Sequence, residues 1–396
     1  MNIGLFTETY YPEINGVASS VYALKEELER MGHNVYVFTT TSPGAPEHEK
    51  NVYRVHSLPC VLITDRRVGL FYQRKIASKI KRLKLDIIHT NTEFSLGIFG
   101  RIMARELKIP VVHTYHTIYE DYTHYVTKGI VFDNRVKRMA RVFSKVSCNR
   151  VSEVIVPTDK VKRLLQDYHV DKEIRVIPTG IDLEKFNVID KHSKQIRKIR
   201  ENFGISEKDK VILFVGRISY EKNIDEIFDY LPEFLKRHTD SRFVLVGDGP
   251  EFKYFEKRAK ESGCEDSIIL MGERPYDEIQ KYYLAGDVFV SASSSETQGL
   301  TFIEAMAAGL PVVAKQDECL DGILEPGKNG FFFRNKEEFH EALEQILYRK
   351  NGVNFEENAR ITAYDHSTRK FAKSVLSVYE DVLGYNEEME SLQQKG

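Results

Sequence analysis

The segment Val288-Phe-Val-Ser-Ala-Ser-Ser-Ser-Glu-Thr-Gln-Gly-Leu-Thr-Phe-Ile-Glu-Ala-Met-Ala-Ala-Gly-Leu-Pro311 decides the fold. A short apolar run, Val288–Ser291, ends in small hydroxyl residues, a glycine follows at Gly299, and an amphipathic pattern begins at Leu300. That is a strand feeding a crossover helix, the repeating piece of a parallel sheet. Matching runs lie upstream and downstream: Val211–Val215, Phe243–Val246, Ile268–Met271 and Val312–Ala314. An earlier set comprises Ile3–Phe6, Val35–Thr39, Ile87–His89, Val111–Thr114, Val154–Val156 and Ile174–Ile177. The stretch from Asp182 to Lys210 between the sets is polar and has no strong strand signal. Two doubly wound, Rossmann-like α/β domains follow, expected to face each other across a cleft lined by the loops beyond their strands. The expected boundaries are 1–180 and 181–365, then a helix over 366–384 with Phe371, Val375, Val378 and Val382 at helical spacing, then a flexible tail, 385–396.

A chain of 396 residues suits two domains of ~100–200 residues each. Its 42% hydrophobic and 29% charged content excludes disorder, collagen-like order and a multi-span membrane protein. The net charge of −2 argues against a nucleic-acid binder, but it is a cancellation. Residues 1–180 hold 27 Lys+Arg against 19 Asp+Glu, net +8, which leaves 30 against 40, net −10, for 181–396. Cys60, Cys148, Cys264 and Cys319 lie far apart without zinc spacing, as in a reduced cytoplasm. Glu8 stands where a signal peptide needs apolar residues, and no run approaches ~18 apolar residues, so any membrane contact is expected to be peripheral.

Two segments concentrate the positive charge. Residues 66–84 carry eight cations and no acid around Tyr72, Ile76, Ile80 and Leu83. Residues 128–150 carry seven cations against Asp133, with Phe132, Val136, Met139, Phe143 and Val146 at helical spacing. Such helices either lie on anionic headgroups or turn their stripe toward their own sheet. Their pairing in one basic domain favours membrane contact.

Free N–H groups at a helix start near Leu300 suit a phosphate. Glu296 precedes that helix and Glu304 lies about one turn inside, so either both border one pocket and grip hydroxyls or Glu304 is an exposed helix residue. Arg217 and Lys222 flank another strand-to-helix turn, where they either converge on a diphosphate or pair with Glu221 or Asp225. After the strand Val111–Thr114, His113 and His116 offer a metal pair, caps for carbonyls, or a group in the cleft; strand alternation favours His116 for the cleft.

Glu296 and Glu304 resemble the Glu-x7-Glu signature of the family 4 retaining glycosyltransferases, which have the GT-B fold. The segments Gly216–Asn223, Gly247–Glu251, Pro178–Asp182 and Glu8–Val17 agree in order, so the resemblance spans nearly the whole chain. It implies a UDP-sugar-dependent retaining hexosyltransferase whose departing phosphate helps deprotonate the acceptor, and a last helix, 366–384, that crosses back to the first domain, the alternative being a surface helix of the second. By this likeness Arg217 and Lys222 supply positive charge to the diphosphate, helped by backbone groups of Gln298, Gly299, Leu300 and Thr301 and by Gly16. Glu304 accepts from the ribose hydroxyls, Glu296 faces the transferred sugar, Arg274 marks the nucleobase position, and His116 stands beside the reacting carbon. No bound cofactor is implied, and no protein-ligated divalent metal is expected.

The run His116–Tyr125 resembles that of bacterial diacylglycerol glucosyltransferases. This implies transfer of glucose from UDP-glucose to the 3-hydroxyl of 1,2-diacylglycerol at the inner face of the bacterial membrane, for glycolipid or lipoteichoic acid anchor synthesis. The alternatives are another acceptor, phosphatidylinositol or the malate of bacillithiol synthesis, and a non-catalytic nucleotide-sugar-binding module.

Overall fold

The computed structural model describes residues 1–13, 15–46, 48–59, 67–69, 71–122, 133–187, 189–293, 296–349 and 352–384. Parts of the two basic segments, the end of the His116–Tyr125 run and the tail lie outside this set.

The chain divides into two compact units, Met1–Gly180 with Thr368–Gly396, and Ile181–Ser367. The first unit contains β1 (Asn2–Phe6), β2 (Asn34–Thr40), β3 (Val52–Val55), β4 (Ser57–Pro59), β5 (Arg67–Gly69), β6 (Ile87–Thr90), β7 (Val111–Thr114), β8 (Glu153–Val156) and β9 (Ile174–Val176). Seven of these form one sheet, ordered β3-β2-β1-β6-β7-β8-β9 and parallel at every pairing, while β4 and β5 make a small antiparallel pair. The second unit contains β10 (Lys210–Val215), β11 (Ser241–Val246), β12 (Ile268–Gly272), β13 (Val288–Ser291), β14 (Val312–Lys315) and β15 (Gly330–Phe333). They run in the order β12-β11-β10-β13-β14-β15, again all parallel. Helices on both faces bury these sheets, so the central strands read as nearly continuous apolar runs.

Every strand expected from the sequence is present. The sequence pattern does not announce β3 and β15, each an edge strand with partly exposed residues, where one missing neighbour weakens the apolar pattern.

The second unit closes at Ser367, two residues later than expected, because Ser367 forms a parallel bridge with Ile181, whose N–H donates to His366 O at 2.8 Å. The closing helix, Thr368–Leu383, belongs to the first unit. Its buried Phe371, Val375 and Val378 join Ile3, Val21, Leu24 and Ile87 in one core cluster. Tyr379 Oη lies 2.6 Å from His89 Nδ1, and Arg175 pairs with Asp381 at 3.1 Å.

Candidate functional site

Strand order reverses between β10 and β13 in the second unit and between β1 and β6 in the first. The loops beyond the carboxyl ends at such points are where open parallel sheets gather ligands.

In the second unit β10 runs into Gly216, Arg217 and the turn Tyr220–Lys222, while β13 runs through Ser293 toward Glu296. Side chains stitch these loops together: Asn223 Nδ2 donates to Glu226 Oε2 at 2.5 Å and to Ala292 O at 3.4 Å, and Ser293 Oγ donates to Glu221 O at 3.5 Å. The loop after β11 is pinned by close backbone approach. A Cβ at Gly247 would stand 1.9 Å from Gly216 O, and one at Gly249 2.2 Å from Ile218 O.

Lys222 Nζ donates to Glu296 Oε1 at 2.5 Å, so two of the expected site residues meet directly. Asp225 is held by Arg258 at 2.6 Å, and Glu221 accepts from Ser219 at 2.7 Å. Arg217 is exposed. Gln298 is buried, and Gly299, at φ +72°, opens the helix Leu300–Ala307. A side chain there would strike the Phe302 ring at 2.4 Å, so only glycine lets this helix start so close to the loop. The N–H groups of Leu300 and Thr301 open the first helical turn, ahead of Phe302 N, which donates to Gly299 O at 3.0 Å.

Glu304 sits further along the same helix, partly exposed, with Tyr283 Oη donating to its Oε2 at 2.8 Å. Burial pushes its carboxyl up from 4.5 to about 7, against the Tyr283 hydrogen bond and the Lys185 charge, which draw it down. Arg274 donates to Met271 O at 2.6 Å and lies over the rings of Phe203 and Tyr282 at 5.4 and 5.8 Å. Its guanidinium is thus turned onto its own sheet edge.

In the first unit Gly16 opens the helix Gly16–Arg30, capped by Asn15 Oδ1, which accepts from Ala18 N at 3.0 Å. Asn15 is fixed in turn by Thr9, and Thr9 by Glu13. His113 is fully buried, its Nδ1 2.9 Å from Thr90 O and its Nε2 3.2 Å from Glu93 Oε1, which makes it a fastener between β6 and β7. His116 lies past the strand end, with Nε2 3.2 Å from Asn91 Oδ1. Burial, helped by neighbouring His113, lowers His116 from 6.5 to about 3, so the ring is neutral at any working pH. Glu8 is buried, and its Oε1 accepts from Leu96 N at 2.5 Å and Ser95 Oγ at 2.9 Å, which ties it to the start of the helix Ser95–Leu107.

Reasoning from sequence missed Asn91, Glu93 and Tyr283. Asn91 and Glu93 follow β6 at the order reversal, a position the topology would single out; Tyr283 carries no local signal.

The two basic helices differ. In Arg74–Leu83, Ala77 and Ile80 are buried and Ile76 and Leu83 pack against the same core, so the apolar stripe faces the protein and Arg74, Lys75, Lys79 and Arg82 face out. In Asp133–Cys148 the stripe is split. Phe143 stacks on Phe94 at 5.3 Å, while Met139 (71% exposed), Val142 (54%) and Val146 (41%) stand outside among Arg135, Arg138 and Arg141. No described helix is long and apolar enough to cross a membrane.

Two Rossmann-like units with charged helix-starting loops at their order reversals are the build of a GT-B glycosyltransferase, and the comparisons agree. Residues 14–185 match Glycosyltransferase Family 4, and residues 195–365 match Glycosyl transferases group 1. The chain is 40% identical to the alpha-monoglucosyldiacylglycerol synthase of Streptococcus pneumoniae, across 97% of this chain and 86% of that protein. It is 36% identical to the synthase of the same name from Acholeplasma laidlawii, across 98% of both. Among solved structures, sucrose-phosphate synthase from Thermosynechococcus elongatus aligns with a TM-score of 0.77 at 22% identity, covering 97% of this chain and 99% of that one. Anabaena Alr3699/HepE in complex with UDP aligns at 0.75 and 19%, covering 96% and 100%. The chain belongs to the family 4 glycosyltransferases.

Proposed function

We propose that the chain transfers glucose, with retention, from UDP-glucose to the 3-hydroxyl of 1,2-diacylglycerol at the inner face of the bacterial membrane, making alpha-monoglucosyldiacylglycerol. The observation that carries this reading is the near full-length likeness to two proteins that both bear that synthase name.

The second unit takes the donor. Lys222 and Arg217 offset the charge that grows on the diphosphate as the glycosidic bond breaks, and the N–H groups of Leu300 and Thr301 beyond Gly299 add fixed dipoles. The contact between Lys222 and Glu296 holds both side chains at the mouth of β10 and β13; Glu296 then meets sugar hydroxyls and Glu304 those of the ribose. His116, neutral and oriented by Asn91, offers the sugar an uncharged hydrogen-bonding group. The leaving phosphate takes the proton of the attacking hydroxyl.

The first unit takes the lipid. Counted over the structural units, its charge is +7 (31 Lys+Arg against 24 Asp+Glu) and that of the second unit is −9 (26 against 35). The exposed Met139, Val142 and Val146, ringed by arginines, form a face suited to the headgroup boundary of an anionic bilayer.

The deciding experiment incubates purified protein with labelled UDP-glucose and diacylglycerol in anionic vesicles, beside phosphatidylinositol and malate, and resolves products by lipid chromatography. Labelled monoglucosyldiacylglycerol is expected, and an unchanged rate in the presence of a chelator. Transfer to malate with no vesicle binding would overturn the lipid reading; UDP binding without any transfer would leave the binding-module alternative standing.

A further inference from the structure

A buried tyrosine reaches the carboxylate of Glu304. Tyr283 is fully buried on the helix Ile279–Leu284, wedged between Phe186 and Phe289 with ring centroids 6.1 and 6.0 Å away. Its hydroxyl reaches across to a different helix and donates to Glu304 Oε2 at 2.8 Å. A phenol fixed this firmly has two χ angles and no room to swing, so it dictates where the carboxylate stands.

A diol needs a carboxylate that is ionised and correctly turned. One oxygen held by a rigid donor sets the plane of the group and leaves the other oxygen for the ligand. We propose that Tyr283 is a positioning residue for the donor site: by occupying Oε2 of Glu304 it dedicates Oε1 to the ribose hydroxyls and keeps the carboxylate available to them near neutral pH. The proposal rests on the assignment of Glu304 to the donor's ribose.

The charged surroundings fit. Lys185, on the short helix Glu184–Asn187, assists Tyr283 in favouring the ionised form. The helix Phe355–Tyr364 packs on Leu300–Ala307, but its Arg360 donates to Ala307 O and Ala308 O at the far end of that helix, beside Glu356. Lys315, on neighbouring β14, is paired with Glu226. Glu296, on the loop before the helix, is paired with Lys222. Tyr283 and Lys185 are therefore the groups that oppose the cost of burying this charge. With the free carboxyl titrating at about 7, donor binding below that pH must expel its proton.

The test uses the full chain and UDP-glucose as probe, whose diphosphate is esterified at both ends and has no proton to give near pH 6. In the wild type, calorimetry at pH 6 in two buffers of different ionisation enthalpy is expected to read close to one proton released per UDP-glucose bound, and the donor KM to rise ~10-fold per pH unit below about 7. Tyr283→Phe removes one oxygen and keeps the ring. It is expected to move the midpoint of that KM profile to higher pH and raise KM several-fold at pH 7, with kcat at saturating donor and the melting curve nearly unchanged. In Glu304→Gln the proton release and the KM midpoint should vanish, and adding Tyr283→Phe should change nothing more.

The outcomes separate. If Glu304→Gln leaves the donor KM and proton release as they were, Glu304 does not meet the ribose, and the proposal falls with that assignment. If Glu304→Gln acts as expected but Tyr283→Phe leaves the midpoint in place, the assignment stands and the role of Tyr283 is overturned. Equal KM losses at every pH, with or without Glu304, reduce Tyr283 to a packing residue and overturn it as well.

Discussion

The two units share one plan, a parallel sheet whose order reverses beside its first strand, yet their strand ends carry opposite kinds of polar group. In the second unit Lys222 and Glu296 meet as an ion pair with 23% and 14% of their side chains exposed, and Glu304 is held by a single tyrosine. In the first, His113, Glu93 and Glu8 are sealed in, fastening β6, β7 and the helix Ser95–Leu107, and His116 has lost its charge to burial. Charge kept within reach of solvent can move onto a ligand, whereas charge locked into the backbone serves to hold it. Glu8 and Glu304 show this at the level of one carboxyl: burial raises both, but Oε1 of Glu8 is spent on a helix start.

The largest effect that tests this contrast is expected from Lys222→Ala. With Lys222 proposed as the fixed cation at the diphosphate, its loss should cut kcat by ~10²–10³, with vesicle binding untouched. A drop in vesicle binding instead would erase the division of labour between the units. Next comes His116→Ala, where a lost hydrogen bond to the transition state should cost ~10–10² in kcat. Because His116 is neutral above about pH 3, the kcat profile of the wild type should show no histidine ionisation between ~pH 5 and 8. A histidine-like inflection near 6.5 that disappears in the variant would contradict the uncharged ring.

A smaller effect is expected from converting Met139, Val142 and Val146 together to Asp. Sedimentation with anionic vesicles at low salt should fall ~10-fold or more while UDP affinity stays the same. Unchanged sedimentation would move the lipid contact away from this face. The mildest change is Tyr379→Phe, which leaves His89 Nδ1 without the hydroxyl 2.6 Å away; the expected loss is ~1–3 kcal/mol of stability, read from a denaturant titration with activity retained.

How much of this was legible beforehand follows from the range of each interaction. Val211–Val215 and Val288–Ser291 are central strands buried on both faces, so their composition announces them. Val52–Val55 lies at a sheet edge, half exposed, and looks like any loop with two valines. Glu296, Gly299 and Glu304 fall on one loop and one helix, and their spacing reads directly. Tyr283 meets Glu304 from 21 residues away and Asn91 meets His116 from 25, distances over which local patterns carry nothing. Helical spacing also grouped Met139 and Val146 with Phe143 as one stripe, although Phe143 has Phe94 to stack on and the other two stand outside.

The closing helix has a consequence for how the protein is made. Residues 181–367 leave the ribosome as a self-contained block before Thr368–Leu383 exists, while the sheet built from residues 1–180 waits for that last helix to cover Ile3, Val21 and Leu24. The part synthesised first is therefore the part completed last.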